Sequence, residues 1–216
     1  MNSVDMRNPV RVACLISGGG RSVVNLHEKI ISAHIPARVV LVACTRANVA
    51  GIAAAAALGL ETCEVAALPS ETLDDRLDAA LEKSGAELIV LAGYLRLFRV
   101  ARWENRCINI HPSLLPKFGG RGMWGEHVHN AVLAAGETKS GCTVHWADEH
   151  FDTGSVIAQR HCAIDAGMSA AQLAARVFEE ERLALPEAVA HVAHWMRHGG
   201  TRPNLTVESN SNQKMK

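Results

Sequence analysis

The stretch of sequence that decides the fold is Val10–His34, VRVACLISGGGRSVVNLHEKIISAH. It begins with the nearly continuous apolar run Val10–Ser17, passes through Gly18–Gly20, and continues from Ser22 with a helical pattern. An apolar run without polar alternation predicts a strand that is buried on both faces of a sheet. The segment therefore predicts the first strand–helix unit of a parallel sheet that is covered by helices.

The same alternation of short apolar runs and longer helical patterns continues to residue 92. After the helix at Ser22–His34, the pattern predicts strands at Arg38–Thr45, Glu61–Val65 and Glu87–Ala92, with helices at Ala47–Leu58 and Ser70–Lys83 between them. Ser70, with acidic residues soon after it, is the predicted N-cap of the second of these helices. We therefore predict an α/β fold of the Rossmann-like type, with a mostly parallel central sheet covered by helices on both faces.

The second half predicts antiparallel pairing and a long final helix. A strand at Arg106–Ile110, a Gly-rich loop at Gly119–Gly125, a short helix at His127–Ala135, strands at Gly141–Ala147 and Ser155–Ala163, and a helix at Ser169–Arg197 follow in order. The last two strands are close enough for a β-hairpin. Residues 1–200 are predicted to form a single domain with halves at about 10–105 and 106–200, and residues 201–216 a polar, disordered tail.

Length and charge restrict the kind of partner. The chain has 216 residues, 48% of them hydrophobic, and 22 basic residues balance 22 acidic ones. This length suits one core, and a zero net charge provides no basic field for nucleic acid or an anionic membrane. We therefore expect small-molecule substrates, no nucleic-acid or membrane partner, and a monomer or homodimer.

The cysteines and the N-terminus predict a soluble, cytoplasmic protein. None of the six cysteines belongs to a C-x-x-C pair, so buried thiols in a reducing compartment are expected rather than a zinc ribbon or a redox site. Met1–Arg11 lacks the apolar core of a signal peptide, and no apolar run is long enough to span a bilayer. Histidines gather at 127–129, 145–161 and 191–198 without a zinc-enzyme signature, so no metal is expected.

The glycine loop between the first strand and its helix predicts an anion site. Glycines let the backbone approach an anion, the helix N-terminus supplies free amides, and Arg21 adds a cation for a phosphate. The dinucleotide fingerprint fits poorly, because Val23 stands in place of its third glycine and Thr45-Arg46 replaces the acidic residue after the second strand. Phosphate binding is favoured over a plain tight turn, and Arg46 leaves an NADP-dependent reductase or a nucleotide-binding sensor open.

A second pattern carries catalytic groups. It comprises Asn109–Pro116 (NIHPSLLP), Thr143-Val144-His145 and Asp152-Thr153-Gly154. Pro112 and Pro116 restrict the backbone, so the polar side chains are expected on a rigid bend. Asn109 and a protonated His111 can donate hydrogen bonds to an oxyanion, while Asp152 can keep His111 charged and take up a proton. If the three converge, they predict acyl or formyl transfer; the alternative is a Pro-rich turn with a capping Asn and a packed His.

Together these residues resemble the phosphoribosylglycinamide formyltransferase family in its folate-dependent, single-domain form. The matching segments are Ser17–Gly20, Leu91–Leu97, Asn109–Lys117, Gly141–His145 and Asp152–Gly154 with Gln159. The resemblance implies a formyltransferase fold with a C-terminal β-hairpin and long helix. It also implies transfer of the formyl group of 10-formyltetrahydrofolate to the amine of 5-phosphoribosylglycinamide in de novo purine biosynthesis.

The resemblance implies roles for individual residues. The family's catalytic residues fall on Asn109, His111 and Asp152. Its ribonucleotide-binding residues fall on Gly20, Arg21, Ser22, Val23 and Glu181. Its folate-binding residues fall on Leu95, Arg96, Leu97, Phe98, Asn109, Asp148, Glu149, His150 and Phe151. The folate is a co-substrate, and no metal is implied.

The chain departs from the family pattern in its loops. Gly20–Val23 reads Gly-Arg-Ser-Val where many members have Gly-Ser-Asn-Leu, and Gly119–Glu126 is longer than the usual stretch. An arginine that the family often uses near the folate tail has no clear match around Ser70. A formyltetrahydrofolate hydrolase, or a transferase acting on another amine such as methionyl-tRNA or an amino sugar, remains an alternative on the same fold.

Overall fold

The structure is a computed structural model that describes residues 8–204; residues 1–7 and 205–216, which include most of the predicted tail, lie outside the described residues. The strands are β1 (Val10–Ile16), β2 (Ala37–Cys44), β3 (Thr62–Glu64), β4 (Leu88–Leu91), β5 (Cys107–His111), β6 (Lys139–Trp146) and β7 (Val156–Ala163). The helices are α1 (Arg21–Ser32), α2 (Ala50–Ala57), α3 (Leu73–Lys83), α4 (Glu126–Ala134) and α5 (Ala170–His198), and a 3₁₀ helix spans Val100–Trp103.

The strands form one seven-stranded sheet in the order β3-β2-β1-β4-β5-β6-β7. The first five strands pair in parallel, whereas β6 runs antiparallel to β5 and β7 antiparallel to β6. The predicted mostly parallel sheet and terminal hairpin are thus confirmed. Strand order reverses between β1 and β4, which is the point where open α/β sheets bind ligands at their carboxyl ends.

The sheet has a hydrophobic core on each face. Along β1, Val12 and Cys14 pack with α1, α2, α4 and α5, whereas Ala13 and Leu15 pack with α3 and the 3₁₀ helix. Alternate residues of a strand point to opposite faces, so an uninterrupted apolar run is what a doubly covered strand requires. All six cysteines are free, and only Cys63 is partly exposed. No helix between residues 8 and 204 is long and apolar enough to cross a bilayer.

The predicted start of α3 is wrong by three residues. Ser70 lies in a turn that is closed by a bridge between Leu68 and Glu71, so its hydroxyl does not cap the helix. Thr72 is the N-cap instead, and its hydroxyl oxygen accepts a hydrogen bond from the Asp75 amide at 3.1 Å. Residues that the sequence pattern predicted to begin the helix therefore form this turn.

The residues that directly follow α5 make contacts that the composition does not predict. Helix α5 begins where the sequence predicts a helix, and the structure shows a capping box at Ser169; the residues after α5 return to the sheet. The Arg202 guanidinium lies 4.2 Å from the centre of a Trp146 ring, and the Trp146 indole N–H donates to the Pro203 carbonyl oxygen at 3.0 Å. A buried indole N–H needs an acceptor, and Pro203 supplies it. The predicted disorder is therefore wrong for residues 201–204.

Candidate active site

A cavity of about 1130 Å³ opens at the carboxyl ends of β1, β4 and β5, and α5 closes one side of it. Ligand pockets commonly measure about 300–1,000 Å³, so this one is large enough for more than one small molecule. Its walls include the predicted residues Gly20, Arg21, Ser22, Leu95, Arg96, Leu97, Phe98, Asn109, His111, Asp148, His150, Phe151, Asp152 and Glu181. Val23, whose side chain packs in the core, and Glu149 do not line it.

The glycine loop is fixed between β4 and α2. The Ser17 amide donates to the Gly93 carbonyl oxygen at 3.0 Å, and the Leu95 amide donates to the Ser17 hydroxyl at 3.1 Å. Gly20 has a φ of 70°, and a Cβ there would lie 2.8 Å from the Gly51 Cα. Only glycine can adopt this positive φ and also leave room for the Gly51 backbone. No side chain caps α1, so its first amides remain for an acceptor that enters the cavity.

Arg21 and a half-buried glutamate, Glu181, line the cavity together with this loop. The Arg21 guanidinium lies 4.0 Å from the centre of the Phe178 ring, which is one helical turn before Glu181 on α5. Burial raises the pKa of Glu181 to about 7, and the charge of Arg21 opposes this rise only in part. Near neutral pH the Glu181 carboxyl therefore changes between a hydrogen-bond donor and an acceptor in the wall of the cavity.

The raised pKa of Glu181 predicts a pH-dependent stability. Between its ordinary value of 4.5 and about 7, the folded chain keeps a proton that the unfolded chain has lost. The unfolding free energy contributed by this group therefore falls as pH rises through that interval, by about 3 kcal/mol in total, and levels off above it.

We expect the unfolding free energy of Glu181→Gln not to show this decrease as pH rises. Urea unfolding of the wild type and the variant from pH 4.5 to 8 should show the variant gaining on the wild type as pH rises. Glu180→Gln, next to it and paired with Arg160 instead, is the matched control. Parallel pH profiles for the wild type and Glu181→Gln would contradict the assignment.

Asn109, His111 and Asp152 come together at the end of β5. Asn109 and His111 are strand residues rather than part of the Pro-rich bend, and Asp152 lies in the loop between β6 and β7. The Asn109 Nδ2 donates to Asp152 Oδ1 at 3.1 Å, and His111 Nδ1 lies 3.4 Å from Asp152 Oδ2. The convergence on which the predicted chemistry depends is present in the structure.

His145 is the fourth member of this cluster. It lies opposite Asn109 in the β5–β6 register, and its Nδ1 donates to the Trp146 carbonyl oxygen at 2.9 Å. With the proton on Nδ1, Nε2 accepts the second N–H of Asn109 at 3.0 Å. Both neighbours of the Asn109 amide nitrogen are then acceptors, which fixes the orientation of that amide. The sequence analysis included His145 in a motif but did not predict its hydrogen bond to Asn109.

Asp152 is held in an unusual backbone conformation. Its φ is 60°, a value that side-chain-bearing residues seldom adopt and that is more common at functional sites. The Gly120 amide donates to Asp152 Oδ2 at 2.9 Å. Burial raises the pKa of Asp152, but hydrogen bonding and the nearby histidines outweigh it, so the pKa lies below its usual range. Asp152 is a carboxylate at neutral pH.

The expected positive charge on His111 is not favoured. Burial lowers its pKa, and neither the Asp152 carboxylate nor the Phe118 carbonyl restores the pKa to its ordinary value. Nε2 donates to that carbonyl oxygen at 2.8 Å, so Nδ1 is the position at which a further proton can be held, facing Asp152. The expected charge on His111 is disfavoured because burial removes the side chain from water, and the sequence did not reveal this burial.

The long loop at Gly119–Glu126 forms part of the cavity wall. Arg121, Met123 and Trp124 line the cavity, and Trp124 is 46% exposed. Leu95 and Leu97, which also line the cavity, are 39% and 45% exposed. Exposed apolar side chains around one opening indicate a surface that binds an apolar or aromatic ligand.

Several cavity residues were not predicted. His129, Trp124, Phe178 and His145 all line the cavity. His129 is buried, and its Nδ1 has no hydrogen-bond partner among the described residues. The helical spacing of Phe178 from Glu181 was a usable signal, because residues three apart share a helix face. Between residues 8 and 204, no group of three His, Cys, Asp or Glu is placed to hold a metal ion.

The fold and the cavity define an α/β protein that places a hydrogen-bonded Asn–His–Asp cluster in the same cavity as a glycine loop at a helix N-terminus. The formyl transferase family matches residues 10–189. The chain belongs to this family, which confirms the resemblance seen in its motifs.

Individual relatives agree with the family. The chain is 40% identical over 191 residues to the trifunctional purine biosynthetic protein adenosine-3 of Drosophila pseudoobscura pseudoobscura, covering 85% of this chain and 14% of that protein. It is 36% identical over 186 residues to the chloroplastic phosphoribosylglycinamide formyltransferase of Vigna unguiculata, covering 83% of this chain and 59% of that protein. The chain thus spans less than two thirds of these relatives.

Solved structures share the fold over most of both chains. Phosphoribosylglycinamide formyltransferase from Brucella melitensis is 37% identical, with a TM-score of 0.78 over 86% of this chain and 96% of that one. Glycinamide ribonucleotide transformylase 1 from Symbiobacterium toebii is 31% identical, with a TM-score of 0.79 over 87% of this chain and 89% of that one. The Rossmann-like formyltransferase fold is therefore confirmed.

Proposed function

We propose that this chain transfers the formyl group of 10-formyltetrahydrofolate to the amine of 5-phosphoribosylglycinamide in de novo purine biosynthesis. The observation that carries the proposal is the network around Asp152, which lies in the same cavity as the glycine loop at the start of α1. The family and the names of the relatives support the same reaction.

Each substrate has a suitable part of the cavity. The phosphate of the ribonucleotide binds at the first amides of α1, beside Arg21, and Glu181 can hydrogen-bond a ribose hydroxyl. The aromatic folate lies against the segment Leu95–Phe98 and the loop that contains Asp148. This arrangement brings the amine and the formyl group together near Asn109.

Formyl transfer requires stabilisation of an oxyanion. When the amine nitrogen attacks the formyl carbon, a C–N bond forms and negative charge develops on the carbonyl oxygen. One N–H of the Asn109 amide must then leave its hydrogen-bond partner and donate to that oxygen instead. We expect the bond to His145 to be exchanged, because the bond to the Asp152 carboxylate is charge-assisted and stronger.

The same site can move the protons of the reaction. The attacking amine loses a proton to the Asp152 carboxylate, directly or through water. The oxyanion then collapses, the bond between the formyl carbon and the folate nitrogen breaks, and that leaving nitrogen gains a proton. A developing oxyanion favours a proton on His111 Nδ1, which offsets the effect of burial at the moment when the charge is needed. His111 then assists Asn109 as a donor.

An activity assay with 10-formyltetrahydrofolate and a panel of amine acceptors tests the proposal. We expect rapid transfer to glycinamide ribonucleotide, and much slower turnover with other amines or with water alone. Equal rates of folate hydrolysis with and without an acceptor would identify a hydrolase instead. Rapid transfer to another amine only would reject the proposed acceptor.

Other expectations accompany this function as predictions. The NADP alternative rests on Gly18–Gly20 and Arg46; the glycines line the cavity but Arg46 does not, so only part of its support belongs to the site. The single-domain organisation, the cytoplasmic location, the monomeric or homodimeric state and the restriction to small-molecule partners stay predictions from the sequence.

A further inference from the structure

Arg21 and Phe178 form a pair that the proposed chemistry does not explain. Arg21 is the first residue of α1, at the glycine loop, and its guanidinium lies 4.0 Å above the Phe178 ring of α5. Both side chains line the cavity. Among residues 8–204, no ion pair or hydrogen bond joins the Arg21 guanidinium to another side chain, so its stack on the Phe178 ring is not replaced by a polar partner.

A stacked guanidinium is well suited to hold a phosphate. The ring contacts the flat face of the group, and the N–H donors lie in the plane, where they point away from the ring. Two parallel N–H groups on that edge can bind two phosphate oxygens. A free arginine has many rotamers to lose on binding, whereas the stack restricts it in advance.

We infer that Phe178 is a positioning residue that holds the Arg21 guanidinium in place for the phosphate of the acceptor substrate. This inference rests on the proposed function, since it assumes that the phosphate group binds at the glycine loop.

The packing around Phe178 supports a role beyond the hydrophobic core. Phe178 belongs to neither core cluster, whereas the preceding residue, Val177, is fully buried in one of them. The contact between α1 and α5 is also maintained without the stack, because Asn25 Nδ2 donates to the Arg182 carbonyl oxygen at 2.9 Å. Removal of the ring should therefore leave both helices in place.

A double-mutant cycle tests the inference. Phe178→Leu should raise the KM for glycinamide ribonucleotide about 3- to 10-fold, with kcat and the KM for the folate unchanged. Phe178→Trp, which keeps an aromatic face, should restore the KM. In the background of Arg21→Ala, Phe178→Leu should have no further effect, because the ring acts only through the arginine. Leu183→Ala, an exposed apolar residue on the same helix, is the matched control.

Binding of ribose 5-phosphate, measured by calorimetry, separates this inference from the proposed reaction. If the wild type binds it, and the two substitutions weaken binding non-additively, the inference stands even when no formyl transfer to glycinamide ribonucleotide is found. Additive effects in the cycle overturn the inference although the reaction is confirmed. An unchanged KM and Kd in Phe178→Leu, or no binding by the wild type, overturns it as well.

Discussion

We expect Asp152→Asn to lower kcat for the proposed formyl transfer by about 10²–10⁴-fold, the range for removal of a general base. The amide cannot accept a proton at neutral pH. It also meets donors on both sides, since the Asn109 amide nitrogen and the Gly120 amide N–H each donate to a carboxylate oxygen in the wild type. One of these bonds is lost, so stability should fall by about 1–3 kcal/mol.

Steady-state kinetics and thermal unfolding of the same preparation check this result. Asp165→Asn is the matched control, because Asp165 is exposed, pairs with Arg176 and does not line the cavity. It should keep the wild-type kcat. Turnover by folded Asp152→Asn within about threefold of the wild type would show that another group moves the proton.

Gly154→Ala should destabilise the folded chain by about 3 kcal/mol or more, at the upper end of overpacking effects. A Cβ at Gly154 would lie 1.7 Å from the carbonyl oxygen of Trp146. The Trp146 amide donates to the Ser155 carbonyl oxygen at 2.9 Å, which fixes the two ends of the β6–β7 loop close together. The backbone must therefore move, and Asp152, only two residues away, moves with it.

Urea unfolding measures the loss, and kcat should fall at least about tenfold in the fraction that folds, because a small displacement of a catalytic group is costly. Gly18→Ala is the control for stability, since a Cβ there meets no atom within 4 Å. Its unfolding free energy should change by less than about 1 kcal/mol. Similar losses in the two variants would show that the contact at Trp146 is readily relieved.

The parallel half of the fold could be predicted because its strands are buried on both faces. β4 is apolar throughout, and β1 is apolar except for Arg11 near its start, a pattern that leaves few alternatives. The start of α3 was missed, because Ser70 and Thr72 are both suitable caps and the choice depends on a turn at Leu68–Glu71. The order of residues 201–204 depends on a tertiary partner, Trp146, far away in sequence.

The site was predictable where its residues stand close together in sequence. Asn109 and His111 belong to one motif, so only their approach to Asp152 needed the fold. The hydrogen bond from Asn109 to His145 depends on the register between β5 and β6, which cannot be derived from either strand alone. The charge of His111 depends on how completely the site excludes water, and the stack on Phe178 depends on how α5 docks against α1.

The cavity draws its walls from Ser17 to Glu181, so the site is assembled from nearly the whole described chain. During synthesis the glycine loop leaves the ribosome early, the acid–base groups follow much later, and α5 comes last. Contacts between residues so distant in sequence form slowly, after the intervening loops have closed. A partly translated chain therefore lacks the complete cavity, which forms only after α5 has emerged and docked.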